Sequence, residues 1–297
     1  MREGIFATRR TALVPGLAMA LFIGGALADT LVLRDGRSVE APLFRREGES
    51  IVAIAEVPGP DGKPIKAERV VALPEIVKVV FTEPAVFRDA GARLGAGEAS
   101  SALPAIVAAT KAAEPLGTIP GSFWPDLQIL QAHTLVALGR NAEAETIAAQ
   151  LKSHADGNVA AGGQAISALV ASFGESSATT ISSAQDLLKA ARTNPGAKPS
   201  TIAAASVACG LSLLEKEPRL ALKCFLELPV FLPGETALSG IARLGTAKSY
   251  FAMSDFDRAI SSLEELIKTQ PGAPEAAKAK TLLPDWQRRR TVFNESK

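Results

Sequence analysis

Beyond Pro84 the chain sets its apolar residues at helical spacing and breaks that spacing with tight turns. Leu127, Leu130, Ala132, Leu135 and Leu138 mark one helical face, Gly139-Arg140 interrupts it, and Asn141-Ala-Glu-Ala-Glu145 opens a second helix. Two helices joined so tightly form an αα-hairpin, and a single hairpin cannot cover its own apolar face. The unit must therefore recur. Taking Ala259 as the reference, equivalent alanines stand at Ala221, Ala184 and Ala144, separated by 38, 37 and 40 residues, with a possible first copy at Ala102, 42 residues before Ala144.

The last copy is the clearest. Leu244-Gly-Thr-Ala-Lys-Ser-Tyr-Phe-Ala-Met-Ser-Asp-Phe-Asp-Arg-Ala-Ile-Ser-Ser-Leu-Glu-Glu-Leu-Ile-Lys-Thr-Gln-Pro271 resembles a tetratricopeptide repeat. Ala247 and Tyr250 match the small and aromatic residues of the family's first helix. Phe256 and Ala259 match those opening the second, and Pro271 matches its terminating proline. The resemblance implies a mostly α, multidomain protein in which residues 84–290 form a TPR-like α-solenoid. The middle copies lack the aromatics, and Thr193-Asn-Pro-Gly-Ala-Lys-Pro-Ser200 is a longer link than that family uses, so a related α-solenoid also fits them. Ala276 to Arg290 is expected to add a capping helix kinked or broken at Pro284, and 291–297 a disordered tail.

Residues 29–83 read differently. Leu31-Val-Leu33 precedes Arg34-Asp-Gly-Arg37, a hairpin signal, and Ser50–Val57, Ile65–Leu73 and Ile76–Phe81 are β-prone. Pro58-Gly-Pro-Asp-Gly-Lys-Pro64 is turn chemistry throughout. Five short strands suggest a small closed barrel, and the opening hairpin is similar to that of SH3-like and Sm-like barrels. Phe44 and Phe81 are the only aromatics there, so packing or dimerisation is favoured over an aromatic peptide-binding groove. Composition changes at Thr82-Glu83-Pro84, and the two parts are expected to have independent cores.

The first 28 residues read as a signal peptide. Three arginines and one glutamate precede an apolar run from Thr11 that closes on Ala26-Leu-Ala28. The run is short for a membrane anchor, although an anchored form is the alternative. The Arg9-Arg10 pair leaves the choice between general and twin-arginine export open. Cleavage would leave a net charge of −1 and no transmembrane helix, in a periplasmic or envelope-associated protein. Near-neutral charge with 5% aromatics argues against a nucleic-acid partner.

No His-Glu-x-x-His, Cys-x-x-Cys, Gly-x-Ser-x-Gly or phosphate-loop sequence occurs, so no catalytic residue, metal ligand or cofactor is assigned. His133 falls on the helix side that lines a solenoid's groove, and His154 at a helix end. Cys209 and Cys224 stand on the two helices of one hairpin, where a disulfide and a pair of buried thiols are both open readings. Asp255 and Asp257 read as turn and helix-start residues, and Arg288-Arg-Arg290 as a solvated basic end.

The expected function is that of a non-catalytic exported scaffold, binding a protein or peptide through the concave face of the helical array. By the family's groove positions, Ile241, Leu244, Lys248, Phe251 and Ala252 would contact that partner, with His133 as a further candidate. Packing of the same residues against the C-terminal helix is the competing reading. Cell-wall binding through the β-module is the functional alternative, and a carbohydrate hydrolase a more distant one, since no segment gathers carboxylates and aromatics as a sugar cleft requires.

Overall fold

The computed structural model describes residues 29–41, 43–174 and 177–295. The expected signal peptide lies outside the described residues. The protein is mostly α, with two small three-stranded antiparallel sheets at its N-terminal end. Among the described residues, no helix is long and apolar enough to cross a membrane.

The first sheet has the order β2 (Ser38–Ala41), β1 (Asp29–Leu33), β6 (Ile76–Val80), and the second β3 (Leu43–Glu47), β4 (Ser50–Pro58), β5 (Pro64–Ala72). The Asp35-Gly36 turn forms as expected, with Gly36 at φ +82°, a conformation glycine adopts without steric cost. The register pairs Leu31 with Val39 and Val79, and Ile51 with Val71, so these side chains share one core. The expected single barrel of five strands is thus replaced by six strands in two sheets. One break falls between Ala41 and Leu43, and another at the helical turn Leu73–Glu75, which carries β6 across to pair with β1.

That β core is not independent of the helices. Leu116 and Ile119, from the segment between α2 (Ala99–Ala113) and α3 (Trp124–Ala137), pack into it. The Val79 amide donates to the Pro120 carbonyl at 3.0 Å, and Arg46 donates to Thr118 Oγ1 at 3.1 Å. Gly121, at φ +90°, lies so close to Val79 that an added Cβ would sit 2.2 Å from its carbonyl oxygen. The composition boundary at Pro84 is therefore crossed by a plug that comes from 35 residues further along the chain.

The remaining helices are α1 (Ala85–Gly95), α4 (Asn141–Lys152), α5 (Gly157–Ala171), α6 (Ala178–Thr193), α7 (Pro199–Leu213), α8 (Pro218–Phe231), α9 (Ser239–Ala252), α10 (Phe256–Thr269) and α11 (Pro274–Glu295). Most successive helices pack against one another, whereas α5 and α6 barely touch and each packs on α7 instead. Ala102, Ala144, Ala184, Ala221 and Ala259, chosen as equivalents from sequence, lie on α2, α4, α6, α8 and α10 and are all buried. On α10 the apolar residues form a single stripe, Ala259, Ile260, Leu263 and Leu266, as expected of a helix with one face in water. By contrast, α7 is small or apolar around its whole circumference through Ala203-Ala-Ala-Ser-Val-Ala-Cys-Gly210, so it is enclosed on all sides by α5, α6, α8 and α9. Phe225 of α8 fills the space between α7 and α9, directly over Gly210 and Gly245.

The C-terminal segment is more ordered than expected: α11 runs through Pro284 and continues over residues 291–295, where a disordered tail was anticipated. The first hairpin also folds back on the last. Gln270, buried at the end of α10, donates from Nε2 to the Gly95 carbonyl at 3.1 Å and to Ser239 Oγ at 2.6 Å. Thr236 Oγ1 donates to the Gly91 carbonyl at 3.1 Å. These contacts close one side of the helical layer and leave a cavity beside them.

Candidate functional site

The cavity has a volume of about 440 Å³ and is walled by four separate stretches of chain. Pro84 precedes the first residue of α1 and Pro125 stands in the first turn of α3, while Pro199 is the first residue of α7; each tolerates the missing N–H because early helical amides have no intrahelical acceptor. These three helix starts direct Phe87, Asp126 and Ser200 toward one space. The fourth wall is the segment 234–237, held by Thr236 on α1.

One side of the cavity is apolar. The Phe87 and Phe123 rings meet at 5.6 Å between centroids with a 58° tilt, and Phe81 meets Phe123 at 6.3 Å. Phe123 thus joins the edge of the β-module to the cavity wall, and Ile129 and Leu130 of α3 continue the surface. The other side is ionisable. Lys198 pairs with Asp126 across the gap between α7 and α3. Glu235 is pushed up to about 7, first by burial and then by the charge of Asp126. His133, 2% exposed, is pulled down to about 4 by burial, so its imidazole is neutral at pH 7. Its Nε2 is buried with no hydrogen-bond partner, and an unsatisfied buried polar atom costs on the order of 1–3 kcal/mol.

This arrangement can hold an apolar body of a few side chains and meet its polar tip with a carboxyl that changes charge near neutral pH and with an ion pair. Among the described residues, no group of three or more His, Cys, Asp or Glu is arranged to hold a metal ion.

Of the sequence candidates, His133 alone lines the cavity. Ile241 and Leu244 are buried within the fold, Ile241 in the large central core and Leu244 in the core shared with α11. Phe251 stacks on Trp286 of α11 at 4.2 Å with a 19° interplanar angle and meets Phe256 edge-on at 5.2 Å. The C-terminal helix therefore covers Leu244 and Phe251, while Ile241 packs in the central core and Lys248 is exposed. Cys209 and Cys224 are free and buried, with their sulfurs 3.3 Å apart. His154 sits in the turn after α4, where its Nδ1 accepts the Asp156 amide at 3.0 Å. Asp255 caps α10, as expected of a helix-start residue. Arg288 and Arg289 pair with Asp285, and Arg290 with Asp257.

Phe87, Phe123, Asp126, Lys198 and Glu235 were missed from sequence because no local spacing connects them. The one available signal was Phe123-Trp-Pro125, an aromatic pair at a helix start in a chain poor in aromatics. No protein-family model and no curated protein sequence matches this chain.

Proposed function

We propose that the protein is an exported, non-catalytic interaction protein, and that it holds a peptide segment of another envelope protein in the cavity between α1, α3 and the start of α7. The cavity carries this reading. Its volume of about 440 Å³ is within the range of small-ligand and side-chain pockets, and His133, Phe123, Lys198 and Glu235 line it. The TPR-like reading of residues 84–290 supports it, because stacked hairpins commonly present such concave surfaces to peptides. In this account Ile241, Leu244 and Phe251 belong to the scaffold, and His133, Phe123, Lys198 and Glu235 to the contact surface. Export through the segment ending at Ala28 would place the partner in the periplasm or envelope, with Asp29 as the mature N-terminus.

A cross-linked pull-down from native envelope tests the proposal. Phe123→Ala removes the aromatic wall and Lys198→Glu reverses one charge, and each should reduce recovery of the partner by tenfold or more. Recovery should be normal from Arg219→Glu, on the exposed side of α8. Undiminished recovery with both cavity variants, confirmed as folded by their melting curves, would overturn the proposal.

A further inference from the structure

Cys209 of α7 and Cys224 of α8 face each other with their sulfurs 3.3 Å apart, and neither takes part in the cavity described above. A disulfide needs about 2.05 Å, so from 3.3 Å the two sulfurs must approach by about an ångström more. The pair is buried, yet both residues line a second pocket of about 240 Å³, with Lys189 and Arg192 of α6 and Lys223 of α8 around it. Arg192 is engaged by Glu227 at 2.6 Å, and Glu227 also accepts from Ser206 Oγ at 2.6 Å. Lys189 and Lys223 are exposed at the mouth.

We propose that Cys209 and Cys224 form a thiol–disulfide exchange site, oxidised to an intramolecular disulfide by small anionic disulfides drawn to the Lys189/Lys223 mouth. Cys224 is the attacking sulfur. The Cys224 thiol, which donates to Cys209 Sγ at 3.3 Å, is the more exposed of the two, 7% against 2%, and shares its pocket with the Arg192 guanidinium, whose positive charge favours a thiolate. The Cys224 thiolate attacks one sulfur of the donor, the donor S–S bond breaks, and the departing thiolate takes up a proton. Cys209 then loses its proton to solvent, attacks Cys224 Sγ in the mixed disulfide, and expels the second donor thiolate, which is protonated in turn. In net terms, two protein thiols are oxidised to one disulfide and one donor disulfide is reduced to two thiols.

The full-length protein, reduced and freed of reductant, is mixed with oxidised glutathione, and thiols are then trapped by alkylation and weighed by mass spectrometry. The expected product has lost two hydrogens and takes up no alkyl group. Cys209→Ser should stop at a glutathione adduct on Cys224, whereas Cys224→Ser should react at least tenfold more slowly. Lys189→Glu with Lys223→Glu should slow oxidation by glutathione several-fold but leave oxidation by uncharged hydroxyethyl disulfide unchanged. Two thiols that remain alkylatable in the folded protein after prolonged exposure would overturn the proposal. Equal slowing with charged and uncharged donors would overturn its account of the mouth.

Discussion

Glu235→Gln should expose an acid sensitivity that the native protein conceals. Burial raises Glu235 from 4.5 to about 7. Between those values the folded protein keeps a proton that the unfolded chain releases, so this group makes the fold less stable as pH rises from 4.5 to 7. Burial lowers His133 from 6.5 to about 4. There the unfolded chain binds the proton and the folded protein does not, so this group makes the fold less stable as pH falls from 6.5 to 4. Each contribution amounts to about 3 kcal/mol across its window, and the two slopes oppose one another between pH 4.5 and 6.5. Removing Glu235 leaves the His133 slope uncompensated. The Glu235→Gln protein, measured relative to wild type by urea denaturation at half-unit pH steps, should therefore lose about 2–3 kcal/mol between pH 6.5 and 4.5. His133→Gln should show the opposite trend relative to wild type. Asp126, Lys198, Arg88 and Glu83 also face the cavity, and because they are common to all three proteins, only their coupling to the replaced group enters the difference. A Glu235→Gln difference that is flat with pH would refute the claim that the cavity holds this carboxyl protonated.

Gly245→Ala should destabilise by about 1–3 kcal/mol, because its new Cβ would sit 2.4 Å from the Phe225 ring; urea denaturation reads the loss. Ala259→Leu and Ala276→Leu should both lower the melting temperature by several degrees, since both alanines are 0% exposed in the core shared by α9, α10 and α11. Ile119→Ala should cost about 2–5 kcal/mol and increase hydrogen exchange in β1 and β6 more than in α10, because Ile119 fills the β core from outside it.

Local chemistry was readable wherever a short stretch determined its own conformation. The Asp35-Gly36 and Gly139 turns, the Asp255 cap and the alanines from Ala102 to Ala259 all lie where the sequence pattern puts them. Distant contacts were not readable. Nothing around Ile119 announces that it belongs to strands ending at Val80, and nothing around Gln270 announces that its amide reaches Gly95. Ala276, which would be expected to tolerate bulk in a terminal segment, is as buried as Ala259 because α11 packs along α9 and α10. The same covering explains Phe251: an aromatic at a groove position is indistinguishable in sequence from one that receives a capping helix, and here Trp286 stacks on it. The cavity was the least legible feature, since its walls come from residues 83 to 237 and only His133 among them had drawn attention.

The central claim, that the cavity holds a peptide of a protein partner, is tested most directly by placing a photo-cross-linking residue at position 88 or 200 on the cavity wall and at position 280 on α11, in the full-length protein within native envelope. The account predicts that adducts from positions 88 and 200 map by mass spectrometry to one short segment of one partner protein, and that position 280 gives none to that segment. Adducts to that partner from position 280 alone, or no protein adduct from either cavity position, would contradict it.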